Sequence, residues 1–181
     1  MKGIIFNLLE SLVIEKFGDE ANEEIYAECN FLGDAPPFLG PVTYEDSDLL
    51  AIVDMLSEKV NLPVDDLLYK FGKYSFPILA EKFPNFLENI DSALEFLKNV
   101  NDIIHLEVRK LLDEAHPPVI IIEETGADRA SLHYISQRKL CRMLEGILEG
   151  VADHFKGKIS YSHRQCMKDG ASECILDIEF S

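Results

Sequence analysis

Basic residues are scarce in this chain: 17 lysines and arginines stand against 33 aspartates and glutamates, giving a net charge of −16 and a pI near 4.6. A surface so acidic repels nucleic acid and anionic lipid and favours a basic protein partner. Long apolar runs are missing too. Val119-Ile120-Ile121-Ile122 is far too short to span a bilayer, so no membrane segment is expected. Cys29, Cys141, Cys166 and Cys174 are too few and too unevenly spaced for a disulfide framework in 181 residues, which predicts reduced thiols and a cytoplasmic location. The opening Met1-Lys2-Gly3-Ile4 leads into a broken apolar stretch without a small-residue cleavage site and does not read as a signal peptide. Internal repeats and low-complexity segments are absent. What remains, 47% hydrophobic with ordinary Gly and Pro, is the composition of a folded globule of one domain or one domain in two lobes.

The N-terminal part reads as helix, with apolar residues three and four apart. Ile4, Ile5, Leu8, Leu9, Leu12 and Val13 form one stripe. Thr43, with Asp46 three residues later, predicts an N-cap before Leu49, Leu50, Ile52, Val53 and Leu56. Pro63 suits the first turn of the next helix, and Pro77 and Pro84 are expected to cut the chain there into short helical pieces. Asp91 or Ser92 caps a longer helix running to about Asp113, with Leu94, Leu97, Ile104, Val108, Leu111 and Leu112 inward.

Beyond Pro117-Pro118 the pattern changes. Val119 to Glu123 and Ser131 to Tyr134, around Gly126-Ala127-Asp128, predict one hairpin; Lys158 to His163 and the alternation of Cys174, Leu176, Ile178 and Phe180 predict another. The helical period returns between them, from Arg138 to Phe155. The fold class is therefore α+β: a helical N-terminal lobe, about 1–65, and a mixed C-terminal lobe, about 66–181, holding a four-stranded antiparallel sheet with packed helices.

Three constellations carry chemistry. In a regular helix His105 lies within roughly 20° of the line through Leu94 and Leu112, on the edge of the apolar stripe. An imidazole there either ligates a metal from a dry pocket, haem iron being the commonest case, or is a core histidine bonded to a carbonyl. Tyr134, Ser136 and Arg138 stand at spacing two, offering two hydroxyls and a guanidinium fork to one face, a set suited to paired carboxylates; the plainer alternative is a solvated strand end. His163-x-x-Cys166 with Cys174, joined by Cys141 from the preceding helix, makes a Cys₃His set of the kind that binds tetrahedral zinc, or else separate thiols and a surface histidine.

The first two constellations together resemble the haem nitric oxide/oxygen binding family, the H-NOX domains related to the haem domain of soluble guanylate cyclase. The likeness rests on His105 late in a long helix, the Pro-Pro step, and Tyr134-Ile135-Ser136-Gln137-Arg138 before a helix; it extends over the whole chain, including Met1-Lys2-Gly3-Ile4. It implies a haem b between the lobes, with His105 as proximal iron ligand and Tyr134, Ser136 and Arg138 on the propionates. It also implies that Ile5 and Pro118 press on the macrocycle.

Oxygen-binding relatives use a distal tyrosine where this chain has Met143, with Leu9 and Ser75 at the supporting positions. The resemblance thus implies an NO sensor that excludes O₂ and signals by release of His105. It implies no catalytic residues, and a separate sensor histidine kinase, diguanylate cyclase or phosphodiesterase as partner. The cysteine set is similar to a zinc site of some bacterial H-NOX proteins, which leaves a zinc and thiol redox switch, with haem secondary, as the alternative.

Overall fold

A computed structural model describes residues 1–112 and 114–181. Helices α1 (Gly3–Phe17), α2 (Asp19–Glu28), α3 (Asp46–Val60) and α4 (Val64–Lys82) open the chain. Their stripes bury Phe6, Leu9 and Val13, then Leu49, Ile52 and Leu56, then Leu67, Leu68 and Phe71, in one apolar core. Thr43 does not cap α3. It pairs with Lys2 in an antiparallel bridge, and the helix begins at Asp46 without a side-chain cap.

Pro77 does not cut the chain; it lies inside α4. Proline removes one backbone bond and crowds the preceding turn. Here the loss is offset by α7 (Cys141–His154), which packs so closely on α4 that only glycine fits at the crossing. A Cβ on Gly72 would lie 2.1 Å from the Met143 carbonyl oxygen, and one on Gly146 would lie 1.9 Å from that of Tyr69.

Ser92 does cap α5 (Ala93–Asn99), its Oγ accepting from the Glu95 N–H at 3.2 Å. The expected long helix is interrupted by a π turn, Val100–Ile104, before α6 (His105–Leu111); its expected end at Asp113 lies outside the described residues. One extra residue per turn advances every later side chain by roughly 100°. Leu94 and Leu97 are accordingly buried while Leu111 is 75% exposed.

Strands β1 (Val119–Gly126), β2 (Arg129–Ile135), β3 (Ile159–Gln165) and β4 (Cys174–Phe180) form an antiparallel sheet in the order β1-β2-β4-β3. Ile120, Leu132, Tyr134, Cys174, Leu176 and Ile178 share its inner face. They pack with Leu94, Leu97, Leu144 and Leu148 of α5 and α7 in a second core. Helix α4 serves both cores, through Phe71 in one and Phe76 in the other.

Candidate functional site

His105 opens α6 directly after the π turn. Its ring is half-buried, and Nδ1 is buried without a hydrogen-bond partner. Burial pulls the imidazole down to about 4, against the Pro118 carbonyl, which favours the protonated ring, and with the help of the Arg109 charge. A neutral imidazole with an unspent nitrogen is the form that ligates a metal.

Between pH 6.5 and about 4 the unfolded chain carries a proton on this ring that the folded chain does not. His105 therefore lowers stability as the pH falls through that window. Urea titrations of haem-stripped protein across it are expected to show a slope that His105→Asn lacks.

The second group sits where β2 ends. Tyr134 is buried, its hydroxyl against Ser136, and burial raises its phenol to about 12. The turn beyond is closed by the Lys139 N–H on the Ser136 carbonyl, and the Ser136 Oγ accepts from the Arg138 N–H at 3.3 Å. The guanidinium donates Nη1 to the His116 carbonyl at 2.6 Å and pairs through Nε with the Asp46 carboxylate at 2.7 Å. Asp46 also holds the Met1 ammonium at 2.7 Å. Burial works to raise the Asp46 carboxyl, but the ammonium and Arg138 hold it below the usual range.

Arg138 thus grips a carboxylate in this structure, which is the chemistry a propionate would ask of it. Beside it lies a cavity of about 230 Å³ lined by Met1, Asp46, Leu50, Gln137, Arg138 and Leu140. Residues from both lobes line it.

Leu9 and Met143 are buried in the first core beside Phe71 and Leu140, with Ile5 packed at its margin. Ser75 is fully buried, and its hydroxyl donates to the Phe71 carbonyl at 2.7 Å. That bond leaves the side chain with no proton to offer a ligand. Pro118 is half-buried at the entry to β1.

The cysteines converge separately. Cys141 begins α7, Cys174 begins β4 and Cys166 lies in the loop between β3 and β4. The sulfurs of Cys141 and Cys174 are 3.0 Å apart, those of Cys174 and Cys166 are 3.7 Å apart, and all three lie within 4.8 Å of one another. The Met167 N–H donates to the Cys174 sulfur at 3.2 Å, and burial raises both the Cys141 and Cys174 thiols. Three clustered, largely buried sulfurs fit a thiophilic cation such as zinc. The structure does not bring His163 into this group: its Nε2 lies 2.9 Å from the Glu145 Oε1. Cys29 is remote, packed on the first core.

A neutral imidazole with an unspent nitrogen and a guanidinium that grips a carboxylate are groups that a haem-binding α+β domain would use. The comparisons agree. The pattern of the Haem-NO-binding family matches residues 2–163. An H-NOX protein from S. oneidensis, solved in the Fe(II)NO state, is 35% identical, with all of this chain and 99% of that one covered and a TM-score of 0.91. The unliganded Fe(II) H-NOX protein from K. algicida is 27% identical over all of this chain and 97% of that one, with a TM-score of 0.88. The chain belongs to the H-NOX family of haem-binding gas-sensor domains. No helix among the described residues is long and apolar enough to cross a membrane.

Two site residues escape a reading of the sequence. Asp46 passes for part of a capping motif and proves to be the partner of Arg138. Glu145 passes for an exposed position on α7 yet is buried; its only signal is its place one turn after Cys141.

Proposed function

We propose that this protein is a haem-based NO sensor that excludes O₂. The observation that carries the reading is the apolar distal side: Leu9 and Met143 have no proton to donate, and the Ser75 hydroxyl is committed to Phe71. Bound O₂ draws on a hydrogen-bond donor for stability, and NO does not need one. Haem supplies the ferrous iron at which the gas binds. His105 offers its neutral imidazole as the proximal ligand; Tyr134, Ser136 and Arg138 orient the propionates; Ile5 and Pro118 press on the macrocycle.

Release of His105 is the signal, and it shifts the lobe of about residues 1–65 against that of about 66–181. A ligand can do this only through its different affinity for the two arrangements. The message passes in the cytoplasm to a separate sensor histidine kinase or cyclic-di-GMP enzyme, and the −16 charge suits docking on a basic patch.

Absorbance spectra of the ferrous holoprotein test the reading. NO is expected to bind with loss of the imidazole, and air is expected to give no stable oxygen complex. Retention of the imidazole at every NO level, or a stable complex in air, overturns it.

The sulfur cluster favours a second input. We infer a zinc ion on Cys141, Cys166 and Cys174, where thiolate oxidation adds redox sensing to the haem signal.

A further inference from the structure

Residues 154–168 contain no aspartate or glutamate, in a chain that carries 33 of them, and they include Lys156, Lys158, Arg164 and Lys168. Half of this stretch is β3, which pairs with β4 on one side and ends the sheet on the other. Among the described residues no hydrogen bond reaches that outer edge, so a row of N–H and C=O groups stands ready for another strand. Ser160 and Ser162 are exposed and place nothing bulky or acidic along it.

Two of the cations are spent within the fold: Arg164 pairs with Asp177 at 3.1 Å, and Lys168 pairs with Asp65. Lys156 and Lys158 are exposed and meet no acid among the described residues. The acids beside them are taken. Glu179, opposite Ser160 across β3 and β4, holds Arg129 at 2.7 Å; Asp153, three residues before Lys156, holds Lys73 at 3.0 Å. The edge is therefore basic in a protein that is otherwise strongly acidic.

Lysines guard a free edge against its own kind, because two copies of β3 would bring like charges together. The same charges favour a strand of opposite sign. Nucleic acid has that charge but no amide ladder to extend a sheet, and the −16 of the whole chain repels it. An acidic peptide segment offers both the charge and the ladder.

We propose that the outer edge of β3 is a docking site for an acidic, extended segment of a partner protein, added to the sheet as a further strand. Main-chain bonds hold the segment, and Lys156 and Lys158 select its charge. The contact has the opposite sign to the one that the overall charge favours. It depends on neither the haem nor the zinc reading, since no group assigned to either belongs to the two lysines or to the backbone of β3.

The test titrates the haem-loaded full chain with a fluorescein-labelled peptide of alternating valine and glutamate, read by fluorescence anisotropy. Saturable binding is expected, and it should be lost when lysine replaces the glutamates or when the peptide backbone is N-methylated. Lys156→Glu combined with Lys158→Glu is expected to weaken the acidic peptide by about tenfold or more. Both side chains are exposed, so the fold should carry the change. No saturable binding, an N-methylated peptide that binds as tightly as the plain one, or indifference to the charge reversal overturns the proposal.

Amide ¹H–¹⁵N spectra of the wild type supply a readout that needs no variant. The peptide is expected to shift the amides of Ile159–Gln165, and shifts confined to other elements overturn the assignment. Two further results would also overturn it. An oligonucleotide that binds as tightly as the peptide would make the surface a nucleic-acid site, and self-association of the wild type that the charge reversal abolishes would make a second copy the occupant.

Discussion

His105→Ala is expected to yield a folded, nearly colourless protein. The ring's Nδ1 has no hydrogen-bond partner, and burial works against its charged form, so the fold loses little with it. On the proposed role of His105 a bound haem would lack its protein ligand, and most of it should be lost on a desalting column. Imidazole added to the buffer should restore the colour, because the proposed clamp at Tyr134, Ser136 and Arg138 would be untouched. Haem content equal to wild type, measured by pyridine haemochrome, would remove His105 from its role and with it the proposed signal.

A second large effect is expected at Gly146→Ala. The new methyl would meet the Tyr69 carbonyl oxygen at 1.9 Å and the Lys73 nitrogen at 2.8 Å, and both are backbone atoms that cannot swing aside. Helices α4 and α7 must then separate, opening the contact that both cores share, and we expect a loss of about 4 kcal/mol or more in urea unfolding. At Gly150 the nearest atom is the Phe76 Cβ at 2.8 Å, and the next is the Lys73 carbonyl oxygen at 3.2 Å. Gly150→Ala should therefore cost less, about 1–3 kcal/mol. Stability of Gly146→Ala within about 1 kcal/mol of wild type would show that the two helices do not cross this closely.

Elements set by local patterning were legible in the sequence. The alternation of Cys174, Leu176 and Ile178 marks a half-buried strand, and both hairpins form close to where the alternating segments place them. The Cys141, Cys166 and Cys174 cluster was legible in the same way, because a hairpin and the helix over it leave its arms few other places to go.

The features that depend on distant partners were not legible. Nothing local shows that the Lys73 carbonyl left unbonded by Pro77 lies against α7, so the proline looks like a break. The π turn at Val100–Ile104 has no residue signature, yet it shifts the register of the helix that His105 opens and leaves Leu111 facing solvent. Asp46 and Glu145 look like ordinary surface acids in a chain rich in them; only the approach of Arg138 in one case and His163 in the other gives them a task.

Tyr134 stands directly opposite Cys174 across β2 and β4. The tyrosine of the proposed propionate clamp and a thiol of the cluster therefore form one rung of the ladder, without so much as one intervening residue to cushion them. A bulky group placed on the Cys174 sulfur would therefore press on the strand that carries Tyr134, and a label at either position would report on both.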